Sequence, residues 1–127
     1  MASQSPIIFG DGLQSRDFTY VANAVLANLL GAASDRHFSG EVVNIGAGER
    51  TELVQLARQM AEILGVPHVK PVFQPARAGD VRHSLADLSR ARDLLGYQPI
   101  FPMSEGLAST VQWYREMFAG AAERKNA

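Results

Sequence analysis

The sequence predicts an α/β fold of short strands and about four helices. Three observations carry that prediction. Apolar residues recur at spacings of three and four in "YVANAVLANLLGAA" and "TELVQLARQMAEILG", the repeat of a helix face. Between such stretches lie compact β-branched runs, "PIIF" and "EVVNI". Glycine and proline mark the boundaries, as they do where the chain must turn.

"PIIF", residues 6–9, is the first expected strand, ended by Gly10. From Tyr20 onward, Val21, Val25, Leu26, Leu29 and Leu30 form the apolar face of a helix that Gly31 and the polar "SDRHFSG" close. "EVVNI", residues 41–45, predicts a second strand ended by Gly46. The next helix takes Thr51 as its N-cap and lines one face with Leu53, Leu56, Ala57, Met60 and Leu64; Gly65 and Pro67 stop it. "VKPVF", residues 69–73, reads as a strand whose internal proline confines it to an edge. A short helix follows from about Asp87 to Leu95, closed by Gly96. The last, "SEGLASTVQWYREMF", is expected to be capped by Ser104, with Leu107, Val111, Tyr114 and Phe118 on one face. Asp87, Leu95, Gly96, Tyr97, Trp113 and Tyr114 are read as capping and packing residues. Residues 1–118 thus make one region, and the small, polar stretch 119–127 is expected to be a flexible tail.

Composition narrows the classes of function. A chain of 127 residues is one domain's worth, and a net charge of −1 gives no electrostatic case for nucleic acid or a membrane surface. With no cysteine there is no disulfide framework and no thiolate chemistry, which suits the cytoplasm. The start, "MASQSPIIFGDG", has neither the basic nor the long apolar part of a secretory signal, and no apolar run reaches membrane-spanning length.

Little here points to catalysis. His37, His68 and His83 lie far apart without helical pairing, so no metal site is expected. No serine elbow and no phosphate loop occurs. "VVNIGAGERTEL" places Gly46 and Gly48 between a strand and a helix, the setting of a dinucleotide turn. The third glycine is missing, however, and Gln74 stands where a ribose-binding acid belongs. That turn is read as structural, and no cofactor is placed on it.

Anion binding is better supported. Arginine offers a planar fork of donors that matches phosphate oxygens and stays charged. Arg16 follows the glycine turn of "GDGLQSRDFTYV". Arg77 sits in "PARAGDV", where Gly79 lets backbone approach a ligand and Asp80 offers two acceptors suited to a vicinal diol. Residue chemistry alone leaves the alternative that Arg16–Asp17 and Arg77–Asp80 are internal ion pairs pinning loops.

"GDGLQSRDFTYV", "VVNIGAGERTEL", "ARAGDVRHSLADLSRARDLLGYQP" and "EGLASTVQWY" stand in one order over about Pro6 to Tyr114. In that order they resemble the C-terminal, substrate-binding half of NAD-dependent nucleotide-sugar epimerases and dehydratases of the extended short-chain dehydrogenase/reductase family. Within it the likeness is greatest to UDP-glucose and UDP-N-acetylglucosamine 4-epimerases. The resemblance implies that Arg16 and Arg77 reach a nucleotide diphosphate and Asp80 takes the ribose hydroxyls. It places Ile7 and Phe9 beside the base and Gln14 near the ribose, while Asp17 braces its loop. The family's NAD is held by an N-terminal Rossmann domain, and its proton transfer uses a Tyr-x-x-x-Lys pair. Here Tyr20 is followed four places on by Ala24, Tyr97 by Phe101 and Tyr114 by Phe118. The resemblance therefore implies a chain that binds a UDP-sugar without catalytic residues or cofactor of its own, beside a Rossmann-domain catalytic half. Apolar surface that such a half would cover also leads to the expectation of a homo-oligomer.

Overall fold

The computed structural model describes residues 4–125. Its strands are few and short. β1 (Ile7–Phe9) and β4 (Val72–Gln74) form a parallel pair, Ile7 opposite Val72 and Phe9 opposite Gln74. β2 (Ser15–Arg16) and β3 (Thr51–Glu52) form an antiparallel pair, and Ser15 also bridges to His83. Four helices complete the α/β fold: α1 (Val21–Ala32), α2 (Leu53–Leu64), α3 (Ser89–Leu95) and α4 (Met103–Lys125). The fourth strand begins only after Pro71, where the missing N–H of proline no longer interrupts a ladder.

The principal core lies between α1 and α3. Ala27, Leu88, Ala91 and Tyr97 are buried there, with Leu26, Leu30, Val43 and Ile45 packed around them. Small alanines on facing helices let the backbones approach, and the Tyr97 ring fills the space beside them. Its hydroxyl donates to the Gly46 carbonyl at 2.7 Å, which satisfies the one polar atom that ring brings inside.

α2 begins one residue later than its expected cap. Thr51 is buried and paired with Arg16, so Glu52 occupies the N-cap and forms a capping box with Gln55. The exposed N–H groups at the helix start are taken up by the glycine turn: Leu53 donates to the Gln14 carbonyl at 3.1 Å and Val54 to that of Gly12 at 3.0 Å. Gly65, with φ 75°, ends the helix in the left-handed conformation that a side chain resists.

Several expectations need correction. Residues 41–45 form no strand: among the described residues the backbone of Val42 to Ile45 makes no hydrogen bond. Ser104 does not cap α4, because the helix already includes Met103; the Met103 N–H instead finds the Glu49 carboxylate at 2.9 Å. Trp113 and Tyr114 are about half exposed rather than packed, and Val21, Val25 and Leu29 of α1 face outward. Only Leu26 and Leu30, with Ala27, turn that helix toward the core. α3 starts at Ser89, two residues after Asp87, whose carboxylate accepts the Ser89 N–H at 2.9 Å. The expected tail boundary at Phe118 falls within α4; residues 126 and 127 of that tail lie outside the described part.

Candidate functional site

The glycine turn before β2 and the loop after β4 meet at one cleft. β1 delivers Ile7 and Phe9 to it, the turn delivers Gln14, and the loop delivers Arg77, Gly79 and Asp80, around a volume of about 360 Å³. Five of the six residues expected to bind substrate line it directly. Arg16, the sixth, reaches its rim through Asp80, with its terminal nitrogen 2.6 Å from the carboxylate.

The turn of residues 77–80 explains how Arg77 and Asp80 come together. The Asp80 N–H donates to the Arg77 carbonyl at 3.3 Å, and Gly79 at φ 80° supplies the conformation such a turn requires. Arg77 then lies over the Phe9 ring, its guanidinium carbon 3.6 Å from the centroid. A contact of that kind contributes about 0.5–1 kcal/mol at an exposed position, enough to bias a long side chain toward one orientation. Its donors reach no acceptor among the described residues. Of the five N–H donors of Arg16, two are engaged: one on Asp80 and one on the Ser15 carbonyl at 2.8 Å. The alternative ion pairs within Arg16–Asp17 and Arg77–Asp80 are not those formed. The pairing runs across the cleft, from Arg16 to Asp80.

Gln14 is the most constrained member. It is 5% exposed, its amide nitrogen donates to the Phe9 carbonyl at 2.7 Å, and its amide oxygen is buried without a partner among the described residues. An unpaired buried acceptor costs about 1–3 kcal/mol, so this oxygen is a local cost that the fold carries beside the cleft.

Three contacts around the cleft were not legible in the sequence. Arg82 grips Asp11 through two hydrogen bonds of 2.6 and 2.9 Å, which hold the Asp11 carboxyl down at about 2. The Ser15 hydroxyl pairs with the His83 Nδ1 at 2.9 Å, and Ser15 is nearly inaccessible. Leu53 closes the cleft beside Ile7. Each joins residues more than 35 apart in the chain, or faces a helix start, and no local pattern announces it.

Asp17 braces rather than binds. Its carboxylate accepts N–H groups from Ala47 at 2.8 Å, Gly48 at 3.1 Å and Ala86 at 3.3 Å. The "GAG" turn therefore does not fit a dinucleotide: donors that would face a pyrophosphate are already given to Asp17. A larger apolar hollow of about 580 Å³ runs along α2, lined by Leu56, Met60 and Leu64 among others, with Arg115 at one side. It lacks the convergent charges of the cleft. Among the described residues no group of three or more acids and histidines is placed to hold a metal ion, and no helix is long and apolar enough to cross a membrane.

Comparison with known proteins agrees with the geometry. Residues 1–46 match the model of the NAD dependent epimerase/dehydratase family. The chain is 37% identical over 115 residues to a UDP-glucose 4-epimerase of Mycolicibacterium smegmatis, covering 91% of this chain and 36% of that protein. The crystal structure of a UDP-glucose 4-epimerase with UDP-glucose from Thermotoga maritima superposes with a TM-score of 0.82 at 40% identity, over 91% of this chain and 36% of that one. A UDP-glucuronic acid 4-epimerase from Bacillus cereus, in complex with UDP-glucuronic acid and NAD, gives 0.83 at 29% identity, over 91% and 36%. The chain thus spans about a third of the length of the relatives it matches. It belongs to the NAD dependent epimerase/dehydratase family and corresponds to the C-terminal portion of its UDP-sugar epimerases.

Proposed function

We propose that this chain binds the nucleotide diphosphate part of a UDP-sugar, as the substrate-binding portion of a nucleotide-sugar 4-epimerase, and does not catalyse the reaction by itself. The observation that carries the reading is the convergence of Arg77, Asp80, Phe9, Ile7 and Gln14 on one cleft, with Arg16 joined to Asp80 at its rim. Arg77 and the three uncommitted donors of Arg16 supply positive charge and directed N–H groups for a diphosphate. The second Asp80 oxygen accepts ribose hydroxyls, Gln14 stands near the ribose, and Ile7 and Phe9 flank the base. Residues 1–118 carry this role. NAD, bound in full-length relatives, supplies hydride transfer from a separate Rossmann-domain half. The cytoplasm is the setting such a soluble sugar nucleotide implies, and self-association through uncovered apolar surface accompanies the isolated region.

The Arg16–Asp80 pair also suits a second reading, in which the arginines only pin loops and the chain is a structural relic. Calorimetric titration with UDP separates the two. Weak saturable binding is expected, because the loops must order and much of a full pocket lies elsewhere. Arg16→Ala or Arg77→Ala should each weaken it by roughly 1.5–3 kcal/mol, about 10- to 150-fold. Equal affinity in both variants and the parent would remove the diphosphate assignment.

A further inference from the structure

β2 needs support from outside its own hairpin-like pair. It is two residues long and β3 is no longer, which is too little ladder to fix a strand by itself. The support comes from residues 82–84, which run parallel to it. Ser15 donates its N–H to the Arg82 carbonyl at 2.9 Å, and its carbonyl accepts the Ser84 N–H at 3.1 Å, with His83 opposite Ser15 between them.

Two side-chain contacts reinforce that seam. Arg82 grips Asp11 at one end, and at the centre the Ser15 hydroxyl meets the His83 Nδ1 at 2.9 Å. Ser15 is 3% exposed, so its hydroxyl is largely cut off from water and depends on the imidazole. Nδ1 accepts the hydroxyl proton in one ring tautomer and donates to the oxygen in the other, so the contact is a hydrogen bond in both.

What the seam carries is Arg16. Its guanidinium folds back onto the Ser15 carbonyl at 2.8 Å and continues to the Asp80 carboxylate at 2.6 Å. That carbonyl is the same one that takes the Ser84 N–H, so any shift of Ser15 against residues 82–84 moves the oxygen that aims the cation. Asp80, which holds the guanidinium from the other side, stands just before His83 in the same segment. One seam therefore sets both ends of the position of Arg16.

We propose that His83 is a positioning residue for the anion grip: through Nδ1 it locks the Ser15 hydroxyl, and with it the Ser15 carbonyl, in the place from which Arg16 presents its free donors to a diphosphate. His83 does not itself line the cleft. The inference rests on the proposed nucleotide reading for what Arg16 holds, and not for how Arg16 is held.

Arginine side-chain NMR on the full chain reads that guanidinium with no ligand present. His83→Ala and Ser15→Ala should each speed its rotation about the Cζ–Nε bond roughly three- to tenfold, the equivalent of one lost hydrogen bond. Arg77, which rests on the Phe9 ring instead, should not change. His83→Asn keeps a polar atom near the Nδ1 position and should restore the parent rate. Melting temperatures should stay within about five degrees of the parent, since His83 is exposed and Ser15→Ala opens almost no void. In UDP titrations the two alanine variants should bind roughly three- to tenfold more weakly, whereas His83→Ala made on top of Arg16→Ala should add nothing. Unchanged Arg16 rotation in both alanine variants would overturn the proposal, as would loosening that Arg77 shares, or an asparagine variant no better than alanine. If the parent binds no UDP, the nucleotide reading fails and the rotation rates still decide this one.

Discussion

Asp17 ties together three segments that are distant in the chain, and it does so with one carboxylate. The N–H groups of Ala47, Gly48 and Ala86 converge on it, and Tyr97 fixes the neighbouring Gly46 carbonyl from the other side. Gly46 is what permits this closeness. A Cβ there would collide with the Asp17 carboxylate and come within 2.9 Å of the Ala86 methyl. The constraint is one of space, since Gly46 is not among the residues with positive φ. Gly46→Ala should therefore destabilise the chain by about 1–3 kcal/mol, the usual cost of forcing an extra methyl into a packed site. Chemical denaturation reads this directly, and an unshifted midpoint would mean that the Asp17 loop yields without cost. Because Asp17 also shapes the approach of β2, the same variant should disturb Arg16 at a distance.

At the level of elements, the sequence was most informative where the pattern was long. α1, α2 and α4 announced themselves by apolar spacing, because a helix face depends only on residues three and four apart, and Gly65 and Gly96 marked the ends of α2 and α3. Thr51 and Ser104 misled because partners came from elsewhere in the chain: Arg16 pairs with Thr51, and the Glu49 carboxylate rather than Ser104 takes the Met103 N–H. The candidate site was legible as a residue set only through its ordered motifs. The geometry within it, Arg16 to Asp80 across 64 positions and Arg77 over Phe9, leaves no local trace. Asn23 shows the same limit. It reads as an ordinary polar position on α1, yet it is fully buried and holds the approach to α4 through Ile100 N–H, Phe101 N–H and the Phe101 carbonyl, at 2.8–3.1 Å. Asn23→Leu keeps the branched shape but not the hydrogen bonds, and leaves those groups unpaired. A loss of about 1–3 kcal/mol is expected, with faster amide exchange at the start of α4 before the rest of the chain. Uniform loosening would place the effect in the α1–α3 core instead.

For the molecule as a whole, the question is what becomes of apolar surface that its own core does not use. α4 runs alongside α2, with Arg115 bonded to the Ile63 carbonyl at 2.8 Å, and continues past the end of α2 at Leu64. Around that point it bares Trp113, Tyr114, Met117 and Phe118, each about half exposed, with Tyr114 stacked on Phe118 and edge-on to Trp113. Side chains of this size bury roughly 200 Å² each, so the half still open amounts to roughly 400 Å². A stable interface takes about 800 Å² from each partner. The shortfall argues for a weak dimer of two copies through this helix rather than a permanent one. Sedimentation across a wide concentration range should show a monomer that shifts to a dimer only at the upper end. Trp113→Ser with Phe118→Ser should hold the chain monomeric throughout without lowering its stability, because neither ring lies in the buried core. If the parent chain stays monomeric at every concentration, the patch is simply tolerated by water; if the double variant unfolds, those rings support the fold in a way their exposure conceals.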